Sequence, residues 1–166
     1  DRFYFTPELS VIGGVRVDRY TATYTAVTVG TTVTGPQTTT ARSPNTLVNP
    51  RAALVWEPFE DQTYYFSYGK SSVPQGTSVV GSPTPITTAN QGLDPELSET
   101  LEIGAKKSFF DGALGLSGAV FKVLKSNALI TDPVSGTTTA QSGERDRVQG
   151  VELSATGQIT DKWNVL

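Results

Sequence analysis

Cysteine, methionine and histidine are all absent from the 166 residues. Without cysteine there is no disulfide framework and no thiolate-ligated metal. Without histidine the commonest general base and metal ligand is missing, so neither a Ser-His-Asp nor a Cys-His arrangement can be built. Long apolar runs are missing too. No segment approaches the roughly 20 residues a membrane helix needs, and no signal-peptide pattern is present. Charge is sparse at 17%, and the net charge of -3 gives no basis for nucleic-acid binding. Strong helix formers are few, whereas Thr, Ser, Gly and aromatic residues are prominent, which is β composition. These absences predict an all-β chain that is not an enzyme. Low mean hydropathy is compatible with a membrane barrel, whose strands put a lipid-facing residue only at every second position. The chain opens on polar Asp1 and stops at Trp163 to Leu166 as if a strand had just begun, so it reads as an internal piece of a longer protein.

Residues 93–121, LDPELSETLEIGAKKSFFDGALGLSGAVF, organise the rest. Leu101, Ile103 and Ala105 alternate with Thr100, Glu102, Gly104 and Lys106, a period of two. Asp111-Gly112 then supplies the strongest short-range hairpin signal. The returning strand begins near Ala113, with Leu114 and Leu116 on one face. Its alternation fails near Val120 and Phe121, where a bulge is expected.

Further strands are expected at residues 1–5, 9–27, 51–58, 63–70, 147–159 and 163–166. Val11, Val15 and Val17 oppose Ser10, Gly14, Arg16 and Asp18, with Ile12 out of pattern. Val151, Leu153, Ala155, Gly157 and Ile159 oppose Gly150, Glu152, Ser154, Thr156 and Gln158. The connectors at 6–8, 59–62, 111–112 and 160–162 are short. Those at 30–50, 71–95 and 126–144 are long, polar and punctuated by Gly35-Pro36, Ser43-Pro44, Pro74, Pro83 and Pro85. In an up-and-down sheet this alternation gathers the short turns at one end and the long loops at the other. Outer-membrane barrels have that asymmetry. Trp56, Phe59, Tyr64, Phe109, Phe110 and Trp163 all lie beside short turns, as an interfacial aromatic girdle would.

Four blocks, LSVIGGVRVDRY, NPRAALVWEPFEDQTYYFSYGKSSVPQ, LDPELSETLEIGAKKSFFDGALGLSGAVFKVLKSNA and RVQGVELSATGQITDKWNV, resemble consecutive barrel segments of TonB-dependent outer-membrane receptors, in particular the ferric-siderophore group. The resemblance implies an antiparallel transmembrane β-barrel of about twenty-two strands around an N-terminal plug, of which this chain supplies about eight. It places the chain, residues 1–166, within the barrel domain of a receptor in the bacterial outer membrane, with plug and C-terminal strands elsewhere. It implies active uptake of a ferric siderophore, energised by the TonB complex through the plug, in a bed of lipid and lipopolysaccharide. A passive porin or structural barrel is the first alternative. A secreted β-sandwich binding module is the second.

No cofactor and no metal site is assigned. Asp94 with Glu96 and Glu144 with Asp146 are close carboxylate pairs, but they sit in or beside loops and no EF-hand pattern surrounds them. Arg16, Asp18, Glu102, Lys106 and Glu152 fall on the polar phase and are expected to face the lumen or plug. Arg42, Arg51, Lys70, Lys125, Arg145 and Arg147 lie toward the long-loop end, where cations would attract an anionic siderophore.

Overall fold

The computed structural model describes residues 1–29, 37–74, 92–131, 138–140, 145–160 and 163–165. Ten strands follow in chain order: β1 (Arg2–Tyr4), β2 (Leu9–Thr28), β3 (Gln37–Phe59), β4 (Gln62–Val73), β5 (Glu96–Phe109), β6 (Leu114–Ser126), β7 (Leu129–Thr131), β8 (Thr138–Ala140), β9 (Arg145–Thr160) and β10 (Trp163–Val165). Eight of them form one sheet in the order β1-β2-β3-β4-β5-β6-β9-β10. Every neighbouring pair is antiparallel. β7 and β8 make a separate two-stranded ladder within the last long connector. Because the sheet is a meander, the ends joined by short turns share one edge and the ends leading into long connectors share the other. The expected turn at 160–162 falls partly outside the described residues, as do Gly35-Pro36, Pro83, Pro85 and Glu144.

Cross-strand partners share a face, so the register sorts the side chains. One row reads Val11, Leu54, Phe66, Ile103, Val120, Val151. The adjacent row on that face reads Leu9, Trp56, Tyr64, Ala105, Gly118, Leu153. The opposite face carries Ser10, Val55, Tyr65, Gly104, Ala119, Glu152, and beyond it Ile12, Ala53, Ser67, Glu102, Phe121, Gly150. The first face is apolar and the second polar over six strands. Ile12 departs from the valine pattern of β2 because it lies on the polar face, beside Arg2 and Ala53.

The β5–β6 turn follows the Asp-Gly signal. Asp111 and Gly112 have φ of 53° and 89°, and Ala113 N–H donates to the Phe110 carbonyl at 3.0 Å. Both central residues at positive φ give the primed turn whose twist matches a hairpin. Gly157 has φ of 143° where β9 passes the end of this turn. A Cβ there would collide with the backbone of Ala113 and Leu114, so only glycine fits.

Two expectations are corrected. The bulge near Val120 and Phe121 is absent: β6 keeps unbroken register with β5 and β9 through both residues. Alternation fails there because Phe121 is an aromatic on the polar face. It lies over Gly150, where an added Cβ would be 2.9 Å from its ring. The register shifts instead between Trp56 and Phe59 and between Trp163 and Asn164.

The connector expected over 30–50 is mostly strand. β3 begins at Gln37 and pairs with β2 continuously from Thr28↔Gln37 to Leu9↔Trp56. Ser43-Pro44 reads as a breaker, yet the ladder tolerates Pro44, and Pro50 with it, for a geometric reason. Glu57 N–H donates to the Glu8 carbonyl at 2.7 Å, so odd-numbered β3 residues bond toward β2 and even-numbered ones point away. Pro44, Pro50 and Pro58 are all even, so each missing N–H is on the β4 side. The β3–β4 ladder accordingly runs only from Phe59 to Arg51↔Gly69, while β4–β5 continues to Val73↔Glu96. The sheet forks at Pro50. Ser72 Oγ donates across the fork to Asn49 Oδ1 at 2.7 Å.

Candidate functional site

Both faces of the sheet are candidate interaction surfaces, built by different means. On the apolar face many side chains stand exposed. Leu153 is 84% exposed and Val151 68%. Toward the short turns this face turns aromatic. Trp56 stacks on its cross-strand partner Tyr64 with centroids 5.3 Å apart, and Phe3 meets Phe5 edge-on at 5.1 Å. Phe109 lies 6.4 Å from Phe110. Lys107 Nζ sits over the Phe109 ring at 5.3 Å and 3.9 Å from Asp61. Phe59 and Trp163 are exposed at the same edge. All six expected girdle residues therefore occupy one margin of the sheet. Phe3 and Phe5 extend it and were missed, because a five-residue lead-in gives too little periodicity to assign a face. Tyr68 lies toward the opposite margin on the apolar face and donates to Glu99 at 3.0 Å.

On the polar face, long side chains fold down over small neighbours. Arg2 Nε donates to Ser10 Oγ at 2.9 Å, Arg2 also pairs with Glu57, and its guanidinium lies 4.7 Å from the Tyr4 ring centroid. Arg51 covers Gly14. Tyr65 lies across Gly104, where a Cβ would be 2.5 Å from Cζ of its ring. That pose lets Tyr65 Oη donate to Glu102 Oε1 at 2.6 Å, with Lys106 Nζ 5.8 Å from the ring centroid. The buried side chains among the described residues, Ser10, Ala41, Ser43, Leu47 and Val55, all belong to this face.

The expected lumen-facing residues Arg16, Asp18, Glu102, Lys106 and Glu152 share the polar face. Arg16 and Asp18 form an ion pair at 2.8 Å. Glu102 and Lys106 gather around Tyr65, whose role the sequence pattern did not reveal because its partners lie on the neighbouring strand. The six expected ligand-binding cations do not converge. Arg51 and Lys125 lie on the polar face, with Lys125 Nζ 3.0 Å from Glu96. Arg42, Lys70, Arg145 and Arg147 lie on the apolar-face side of their strands. Asp94 and Glu96 gather no metal-binding group of three or more acidic residues around them among the described residues.

The family description "TonB dependent receptor-like, beta-barrel" matches residues 1–166, the whole chain. The chain belongs to the TonB-dependent receptor β-barrel family. This segment of a TonB-dependent receptor is 32% identical, over 99% of its length, to the probable TonB-dependent siderophore receptor PiuA of Acinetobacter baumannii. It is 37% identical over 75% of its length to the probable TonB-dependent receptor BfrD of Bordetella pertussis. The crystal structure of PiuA superposes with a TM-score of 0.79 over 98% of the chain. That of the ferric-catecholate import receptor Fiu of Escherichia coli does so at 0.74, with 25% identity and 98% coverage. The chain spans only 22% of PiuA, 16% of BfrD and 25% of the Fiu structure. It is thus one strip of an outer-membrane β-barrel wall. Members of this family are receptors and transporters rather than enzymes.

Proposed function

We propose that this chain is a wall segment of an active transporter that imports a ferric siderophore across the bacterial outer membrane. The observation that carries the reading is full-length similarity to receptors named for siderophore or ferric-catecholate uptake. In this reading residues 1–166 lie wholly within the barrel domain, and the plug and remaining strands come from the rest of the protein. The apolar face meets lipid. Its aromatic margin, with Trp56, Phe59, Tyr64, Phe109, Phe110 and Trp163, marks the interface on the short-turn, periplasmic side. The polar face lines the lumen, and Arg16, Asp18, Glu102, Lys106 and Glu152 meet water or plug there. TonB acts through the plug, and lipid and lipopolysaccharide are the outer partners. Arg51 and Lys125, on the lumenal side near the loops, are the cations best placed to draw in an anionic ferric complex.

The segments 30–50, 71–95 and 126–144 contain no aromatic residue, so stacking on a catecholate would come from other parts of the receptor. Within these segments the contribution to binding is polar. The test is ferric-siderophore binding by purified full-length receptor, with and without residues 75–91. Weaker binding with the barrel still assembled is expected, since changing loop length costs little folding free energy. Unchanged binding of every siderophore tested would remove that loop from the mechanism. Solute diffusion through the intact protein without TonB would favour a passive porin.

A further inference from the structure

β2 and β3 are longer than a membrane wall needs. They hold 20 and 23 residues, whereas a tilted strand crosses a bilayer in about 9–11. Leu9 and Trp56 pair at the aromatic margin, so in the orientation given above the crossing is complete near Asp18 and its partner Leu47. The ladder runs on from Arg19↔Thr46 to Thr28↔Gln37, as a ribbon standing clear of the bilayer. Even-numbered β2 residues stay on the polar face throughout. There Tyr20, Ala22 and Tyr24 lie opposite Asn45, Ser43 and Ala41.

Two features set Tyr20 and Tyr24 apart. The other four of the six tyrosines are engaged: Arg2 lies over Tyr4, Tyr64 stacks on Trp56, Tyr65 donates to Glu102 and Tyr68 to Glu99. Tyr20 and Tyr24 have neither a ring contact nor a side-chain hydrogen bond among the described residues, and Tyr24 is 43% exposed. Their surroundings are also uncharged. Past Asp18 no charged residue of the ladder falls on this face, since Arg19 and Arg42 belong to the other. At the ordinary strand rise the two tyrosines sit about 13 Å apart along β2. Between them lie only the small residues Ala22 and its partner Ser43, and Ser43 is buried.

Two unengaged phenols flanking a neutral, small-floored trough have the chemistry of a site for a flat aromatic ligand. We propose that Tyr20 and Tyr24 are specificity-determining residues: they stack on aryl rings of the iron ligand and so favour complexes whose iron is held by catecholate rings over those whose iron is held by aliphatic hydroxamates. Ring pairing rewards an aromatic chelator beyond the area it buries. Each phenol O–H can also donate to an anionic chelating oxygen, a charge-assisted bond stronger than a neutral one. The inference rests on the reading above, in which the cargo is a ferric siderophore and the polar face lines the lumen.

The test is equilibrium binding by purified full-length receptor of two probes, an iron(III) tris-catecholate and an iron(III) trihydroxamate. The parent should bind the tris-catecholate more tightly. The double variant Tyr20→Ala/Tyr24→Ala should bind it about tenfold more weakly, at roughly threefold per ring removed, with the trihydroxamate affinity little changed. Tyr20→Phe/Tyr24→Phe keeps the rings and should lose less. Thr21→Ala/Thr23→Ala, on the other face of the same ribbon, should change neither affinity. An unaltered tris-catecholate affinity in the alanine variant overturns the proposal. So does an equal fall for both probes, which would mean that the rings support the ribbon rather than read the ligand. A parent that binds only the trihydroxamate overturns this inference and leaves the transport reading intact. A parent that binds neither probe nor any other ferric siderophore defeats that reading, and this inference with it.

Discussion

The two faces of this sheet are made by the same strands, yet they are held in opposite ways. The apolar face leaves large side chains open: Leu153 and Ile103 stand exposed at 84% and 60%. Nothing in the strip itself buries them, so their stabilisation comes from whatever covers the face, which in a bilayer is acyl chain. The polar face is self-supporting. Tyr65 packs on Gly104 and bonds Glu102, and Arg2 bonds Ser10 and pairs with Glu57. Substitutions on the apolar face should therefore report on the solvent, and those on the polar face on specific neighbours.

The sharpest way to break that contrast is a charge on each side of one strand. Leu153→Arg should destabilise the receptor by about 2–4 kcal/mol if the site lies at the bilayer midplane. Ser154→Arg, one residue on, should change stability by no more than about 0.5 kcal/mol, as a surface substitution would. Denaturant unfolding from lipid vesicles measures both. Equal costs would mean the faces are not what the register makes them.

A smaller effect is expected where the polar face is packed. Gly104→Ala places a methyl where the Tyr65 ring lies, so the ring must swing away and its bond to Glu102 must lengthen or break. Overpacking of this kind costs about 1–3 kcal/mol. Removing the ring as well, in Gly104→Ala/Tyr65→Ala, should cost less than the sum of the single changes, because contacting residues are not additive. Strict additivity in the same unfolding assay would show that the ring does not rest on the glycine. The smallest effect belongs to Lys125→Ala. Its pair with Glu96 is partly exposed, and such pairs contribute about 0–1 kcal/mol. A larger loss would indicate that the polar face near the loops is drier than its exposure implies.

What could be read from the sequence follows the same division. The apolar face was legible because its signal is periodic: Leu101, Ile103 and Ala105 alternate with polar residues, and hydrophobicity alone defines it. The Asp111-Gly112 turn was legible because its chemistry is local. The packing of the polar face was not. Tyr65 finds Glu102 across a strand pair, and Phe121 finds Gly150 on the next one, and nothing in the order of residues announces either contact. Phe121 even gave the false impression of a bulge. The length of β3 was hidden for a different reason. Proline speaks against a strand only when its nitrogen faces a partner, and that depends on parity relative to β2, which the composition of residues 37–50 does not disclose.

The fork at Pro50 has a consequence for the behaviour of the molecule among its own copies. Above it, the β2–β3 ladder continues to Thr28↔Gln37, while β3 and β4 share no further ladder pair among the described residues. A bare strand edge is a template for another chain to add to, and a crowded membrane surface supplies many other chains. Along this edge the even-numbered residues would offer the hydrogen-bond donors, and at positions 44 and 50 proline offers none. Arg42 adds a charge at another even position. Proline at these two positions leaves that side of β3 with fewer donors to offer an added strand.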